Sequence, residues 1–273
     1  MDSLDALTTF PAPTVAAAVL DHSEQWTLGD EEHVFALASV TKLLTAYAVL
    51  LAVEEGAMEL DDPLGPEGST VRHLLAHASG VGFDSRRAQK PVGERRIYSS
   101  AGYEILAEAV AEATGIDFPE YLREGVCEPL GMSATRLERS AGHGAVSTVR
   151  DLAVFAREWL TPTLLHPDTV AEALHPQFPE LRGVVPGYGM QKPCLWGLGP
   201  EIRGEKEPHW TGANMPEDTA GHFGMSGTYL WFHRPTQRAM VMLSDRDFGP
   251  WAKPLWSETN AAIWAELSSS TRE

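Results

Sequence analysis

Cysteine is scarce: the 273 residues include two, Cys127 and Cys194, far apart and without a C-x-x-C pair. That excludes a dense disulfide framework and a thiolate zinc ribbon, and both residues are expected as free thiols. Basic residues are outnumbered, 21 Lys and Arg against 38 Asp and Glu, for a net charge of −17. No basic cluster offsets that excess, so nucleic acid and anionic membrane surfaces are disfavoured as partners. Long apolar runs are missing too. The longest, around residues 43–53, is interrupted by Thr45 and Tyr47 and reads as a buried helix, not a membrane span. The opening Met1-Asp2-Ser3-Leu4-Asp5 lacks the basic region of a secretory signal, giving the expectation of a cytoplasmic protein. Internal repeats and low-complexity tracts are absent. What remains is an ordinary globular composition, 43% hydrophobic and 22% charged, long enough for one large domain or two intimate lobes.

Turn signals and periodicity divide the chain into three stretches. Residues 14–20 and 25–28, separated by Asp21-His22-Ser23-Glu24, predict a β-hairpin. A short apolar stretch at 34–38 leads into a helix over 39–55, which Gly56 ends. Further helices are predicted over 71–76, capped by Thr70, then 100–114, 117–129 and 148–159. After Gly183 glycine and aromatic residues increase, and strands are predicted at 195–198, 228–232 and 238–243, with a closing helix at 256–267. The polar stretch 200–220 is long enough to be a functional loop. Strands at both ends with helices between them predict one antiparallel sheet built from both termini. The expected architecture is an α+β fold, an α/β sandwich, with lobes at 1–56 plus 183–273 and a helical lobe at 57–182.

Three short patterns carry residues fit for chemistry. Ser39-Val40-Thr41-Lys42 has S-x-x-K spacing, which on a helix stacks the two side chains on one face. A serine hydroxyl needs a base to become a nucleophile. Lysine becomes that base when burial lowers its pKa by roughly three units, about 4 kcal/mol. Leu37, Ala38, Leu43 and Leu44 are apolar flanks that favour such burial. Alone, the spacing is also what any capped helix with a lysine one turn later shows. The second pattern is Tyr98-Ser99-Ser100, whose phenol can share proton transfer beside an ammonium. The third is His222-Phe223-Gly224-Met225 ahead of the 228–232 strand, where an amide after the glycine can face a carbonyl oxygen.

In this order, Ser39-x-x-Lys42, Tyr98-x-Ser100 and His222-x-Gly224, the chain resembles the superfamily of serine β-lactamases, penicillin-binding proteins, D-alanyl-D-alanine carboxypeptidases and related esterases. The flanks resemble it as well: Phe35-Ala36-Leu37-Ala38 before the serine, Glu55-Gly56-Ala57-Met58-Glu59-Leu60-Asp61-Asp62-Pro63, His73-Leu74-Leu75-Ala76-His77-Ala78-Ser79-Gly80, and Gly221-His222-Phe223-Gly224-Met225-Ser226-Gly227. The resemblance implies an acyl-enzyme on Ser39, with Lys42 and Tyr98 sharing proton transfer and either one as the base. It further implies an oxyanion hole from the amides of Ser39 and Met225, a cleft lined by Ser100, His222 and Gly224, and no metal or organic cofactor.

Two departures bear on substrate. The second motif ends in Ser100 where the family commonly has asparagine, and the third carries His222 where β-lactamases carry lysine. A titratable cation there is a weaker holder of a β-lactam carboxylate. The expected activity is therefore hydrolysis or transfer of a small ester or amide, esterase-like first, D,D-carboxypeptidase or D-amino-acid amidase second, β-lactamase third. The alternative from another class is a binding or regulatory protein that kept the fold and lost the chemistry, as Ser100 would allow. His73 and His77 have zinc-like i, i+4 spacing without a third ligand, so a structural role is expected. Trp196, Trp210, Trp231, Trp251 and Trp256 could line an acyl pocket, with core packing expected for most and Trp210 in the polar loop the first candidate. Sequence leaves the oligomeric state open.

Overall fold

A computed structural model describes residues 1–270 of the chain. Period-two alternation sorts the strand residues to two faces of one sheet. In β1 (Val15–Asp21), Ala16, Ala18 and Leu20 belong to one apolar core and Ala17 and Val19 to another. In β10 (Thr228–His233), Leu230 and Phe232 take the first side, Tyr229 and Trp231 the second. In β11 (Arg238–Ser244), Ala239, Val241 and Leu243 oppose Met240 and Met242. Burial on both faces explains why these strands read as continuous apolar runs.

With β2 (Glu24–Leu28), β8 (Glu201–Ile202) and β9 (Ala220–Gly224), they form a six-stranded antiparallel sheet in the order β2-β1-β11-β10-β9-β8. Both chain ends therefore contribute to one sheet, as the sequence predicts. A three-stranded sheet joins β3 (Phe35–Ala36), β4 (Arg136–Leu137) and β5 (Ala145–Ser147), and a hairpin joins β6 (Gly183–Val185) to β7 (Gly189–Gln191).

The first core is filled by α1 (Thr41–Glu54), α3 (Ala101–Thr114) and α5 (Val149–Leu160), with α2 (Val71–Leu75) and α4 (Phe118–Leu122) behind them. The second is closed by α7 (Ala252–Ser270) and the N-terminal 3₁₀ helix Asp2–Thr9. Thr70 and Thr148 cap α2 and α5 by accepting from His73 and Asp151 N–H groups, and Gly115 ends α3 with φ +72°. One further helix, α6 (Pro167–Leu174), starts on a proline at its first position.

One local prediction is corrected. Residues 195–198 form no strand beyond a single bridge of Trp196 with Glu201. Gly197 there lies against Ala173, where a Cβ would meet the carbonyl oxygen at 2.0 Å, so the segment is held by helix α6 instead of by a ladder. The polar stretch 200–220 is a loop over 203–219, as expected, but not an exposed one. It opens with β8 on the sheet edge, and Glu201, Lys206, His209 and Trp210 are all buried.

Candidate active site

Ser39 sits in a 3₁₀ turn, Ala38–Val40, just ahead of α1, not within the helix proper. Ala38 holds φ at +45°, a conformation costing a residue with a Cβ roughly 1–2 kcal/mol. Neighbouring strands keep the turn in place. Leu37 N–H donates to Ala145 O at 3.0 Å, and Thr228 Oγ1–H donates to Leu37 O at 3.0 Å. Gly224 lets β9 come this near, since a Cβ there would lie 2.3 Å from Leu37 O.

One turn onward, the Lys42 Nζ donates to Ser39 Oγ at 3.3 Å, Ser100 Oγ at 3.0 Å and Gly142 O at 2.7 Å. Its side chain is fully buried, with Nζ 4.6 Å from the Tyr98 ring centre and 5.6 Å from that of Tyr103. Loss of water brings its pKa down to about 7, against a smaller opposing pull from Glu104. Two threonines of α1 fix the turn that carries Gly142. Thr45 Oγ1–H donates to Ala141 O at 2.6 Å, and Thr41 Oγ1 accepts from Ala145 N–H at 3.0 Å. A Cβ at Gly142 would meet the Ser100 Cβ and carbonyl oxygen, each at 2.9 Å.

Tyr98 comes from the segment before α3 and is pinned by His77 on both sides. Ile97 N–H donates to His77 O at 2.9 Å, and Ser99 N–H to His77 Nδ1 at 3.1 Å. With Nδ1 accepting, Nε2 carries the proton of the neutral ring, and it has no partner. His77 is packed between Tyr98 and Trp196, ring centres 4.7 and 4.9 Å away, at a strained φ of +56°. Burial, reinforced by Lys42, holds its pKa well below the ordinary histidine value. His73 is separate, bonded to Thr70 Oγ1 at 2.8 Å and stacked on Phe178.

The Tyr98 hydroxyl lies 3.4 Å from His222 Nε2 and lines the same pocket as Ser39. His222 Nδ1–H donates to Phe223 O at 2.7 Å, which leaves Nε2 as the acceptor for the phenol. Burial, then the charge of Lys42, lowers His222 to about 4. The titratable cation expected from sequence is thus an uncharged ring at neutral pH. Burial also raises the Tyr98 phenol above its ordinary value, outweighing an opposing pull from Ser39, so it stays protonated.

These groups meet at a pocket of about 190 Å³, reached by Ser39, Tyr98, His222 and Met225 and walled by Phe83 and Trp196. The Met225 N–H has no partner among the described residues and is free to face a ligand oxygen. Ser100 and Gly224 stand behind this wall, the first turned to Lys42 and the second against Leu37. Trp210 is not part of the pocket; its indole N–H donates to Glu201 Oε2 at 2.8 Å. Trp196, another of the tryptophans considered from sequence, takes that place. The Gly142 carbonyl was invisible in sequence, because a main-chain oxygen carries no residue type.

The beta-lactamase family model matches residues 5–262. The chain belongs to the beta-lactamase family. It is 51% identical to a beta-lactamase of known crystal structure from Mycobacterium bovis, with TM-score 0.95, 97% of this chain and 99% of that one being covered. Over shorter stretches it resembles penicillin-binding protein 4* of Bacillus subtilis, 27% identical over 137 residues, 38% of this chain and 30% of that protein. It also resembles monacolin J acid methylbutanoyltransferase of Aspergillus terreus, 31% identical over 150 residues, 36% of each chain. The chain thus spans about a third of the length of these two curated relatives. The chain's own Cys127 and Cys194 are free and buried, and among the described residues no helix is long and apolar enough to cross a membrane.

Proposed function

We propose that this member of the beta-lactamase family is a serine hydrolase that forms an acyl-enzyme on Ser39 from small esters or amides. The carrying observation is Lys42, buried and lowered to about 7, with Nζ 3.3 Å from Ser39 Oγ at the floor of an aromatic pocket. Neutral Lys42 keeps one N–H for Gly142 O and one for Ser100 Oγ, and its lone pair takes the Ser39 proton. Ser39 Oγ adds to the carbonyl carbon, and the developing oxyanion meets the Ser39 and Met225 amides. Such donors are typically worth about a hundredfold to a thousandfold each. Collapse breaks the bond to the leaving group, which takes a proton from Tyr98, itself resupplied by Lys42. Water then releases the acyl group by the reverse sequence. A base role for Lys42 and a donor role for Tyr98 fit their opposite pKa directions.

Ester substrates suit the pocket better than β-lactams. His222 is neutral, Ser100 lacks a carboxamide, and about 190 Å³ is smaller than the roughly 300 Å³ at which drug-sized pockets begin. Intact Ser39, Lys42 and Tyr98 in mutual reach weigh against a protein that only binds. Transfer to an alcohol in place of water is a second reading, supported by the methylbutanoyltransferase relative. A panel of p-nitrophenyl acetate and butyrate, a D-alanyl dipeptide and a chromogenic cephalosporin tests the assignment. The esters should turn over fastest and Ser39→Ala should abolish that turnover. Faster cephalosporin or dipeptide hydrolysis would replace the ester reading.

A further inference from the structure

A second cleft, of about 320 Å³, adjoins the pocket at Ser39 and shares Phe83, Tyr98 and Pro186 with it. Its far side is cationic, formed by Lys90, Arg95 and Arg96, with apolar Ile97 and Val184 between. The three cations differ in what they already hold. Lys90 is paired with Glu94 at 2.9 Å. Arg96 is buried and spent on main-chain carbonyls, donating to Cys194 O at 2.6 Å, Gln177 O at 2.8 Å and Ala76 O. Arg95 makes no ion pair or side-chain hydrogen bond among the described residues, and its shielded Nε–H has no acceptor.

Among the described residues Arg87, Arg139 and Arg182 are unpaired too, but they are exposed, whereas Arg95 is half-buried. Carboxylates outnumber cations 38 to 21, and Arg72, Arg86, Arg123, Arg136 and Arg150 each reach one. A half-buried guanidinium left without a counter-ion, in a cleft that adjoins the pocket of Ser39, is placed to take an anionic oxygen from outside. The rim between Arg95 and Ser39 is apolar and exposed: Phe83 is 52% accessible and Val184 44%. A hydrocarbon spacer can lie along it.

We infer that the side cleft is an anion subsite, and that the preferred substrate is an ester bearing a carboxylate, bound at Arg95 while its reacting carbonyl meets Ser39. The inference rests on the acyl-enzyme reading above. An excess of −17 repels anions at long range, so the preference arises from contact and not from steering.

Two pairs of esters test it and separate the two places the carboxylate can occupy. In one pair the charge is on the acyl chain, p-nitrophenyl hydrogen adipate against its neutral methyl adipate analogue. In the other it is on the leaving group, 3-carboxyphenyl butyrate against 3-carbamoylphenyl butyrate. In at least one pair the wild-type protein should favour the anion in kcat/KM. Arg95→Ala should reduce that preference by about tenfold or more, chiefly through KM, as loss of a charged hydrogen bond does. Arg95→Lys should restore part of it. No preference for the anion in either pair, or one that survives Arg95→Ala, overturns the subsite. Hydrolysis of neither ester in any pair would fail the acyl-enzyme reading instead. Calorimetric titration of the Ser39→Ala protein with hydrogen adipate esters then decides the subsite alone, binding lost in Ser39→Ala/Arg95→Ala supporting it and unchanged binding refuting it.

Discussion

Lys42 Nζ lies closer to the carbonyl oxygen of Gly142, at 2.7 Å, than to Ser39 Oγ at 3.3 Å. The strongest contact of the candidate base is thus a main-chain acceptor that never gives up its proton requirement. It fixes one N–H and so decides which way the lone pair points once the amine is neutral. Gly142→Ala should disturb this arrangement, because its Cβ would meet Ser100 backbone at 2.9 Å and neither chain segment is a flexible side-chain end. Ester kcat should fall by about tenfold or more, with folding retained by circular dichroism.

The pH dependence follows from Lys42 directly. In the proposed mechanism acylation requires the neutral amine, whose pKa is lowered to about 7, so kcat/KM should rise with pH through about 7 and then level off. Tyr98 stays protonated beyond this range, so Tyr98→Phe should lower the plateau without moving the midpoint. A midpoint that shifts with Tyr98→Phe would transfer the base role to the phenol.

The same lysine is a burden on stability. Unfolded, it holds its proton up to about 10.5, and folded only to about 7. Between those values the unfolded chain binds more protons, so stability present above pH 10.5 is lost as pH falls through 7, on the order of 5 kcal/mol. Lys42→Met removes that cost but leaves Gly142 O without a donor. Inactive protein melting a few degrees higher than wild type at pH 7, with a smaller gain at pH 10, is expected from thermal denaturation.

His77 should act through Tyr98. His77→Ala leaves the Ser99 N–H without its acceptor in a buried site, a loss of roughly 1–3 kcal/mol. It also removes the ring beneath the phenol. Ester kcat should drop more than KM rises. Asn tolerates positive φ and offers a carboxamide oxygen, so His77→Asn should recover part of both, which a purely space-filling role would not predict.

Glu201 anchors the wall that carries Trp196. It is fully buried with Lys206 Nζ at 3.4 Å, His209 Nε2 at 3.2 Å and Trp210 Nε1 at 2.8 Å. These partners hold its carboxyl well below the usual range despite burial. Glu201→Gln would strand the Lys206 charge, and breaking a buried pair in this way typically costs about 3–5 kcal/mol, measurable by urea denaturation.

Much of this was legible in the chain. The hairpin at β1 and β2, the caps Thr70 and Thr148, and the stop at Gly115 are local signals, and alternating or continuous apolar runs located β10 and β11. Ser39 and Lys42 were legible because three residues on a helical turn fix their proximity. What escaped were long-range features. Residues 195–198 have strand-like composition, yet Gly197 packs on α6 and Trp196 turns into the pocket. The charges of the 200–220 loop gave no sign of their burial, because sequence does not show that Glu201, Lys206 and His209 satisfy one another. The neutral state of His222 depends on burial that its own motif does not encode.

The most direct test is the site of acylation. Wild-type protein quenched in acid within the first turnover of p-nitrophenyl butyrate, digested and mapped by mass spectrometry, should carry the butyryl group on the peptide containing Ser39. Ser39→Ala and Lys42→Met should carry none. A butyryl group on another residue, or undiminished labelling in Lys42→Met, would contradict the account.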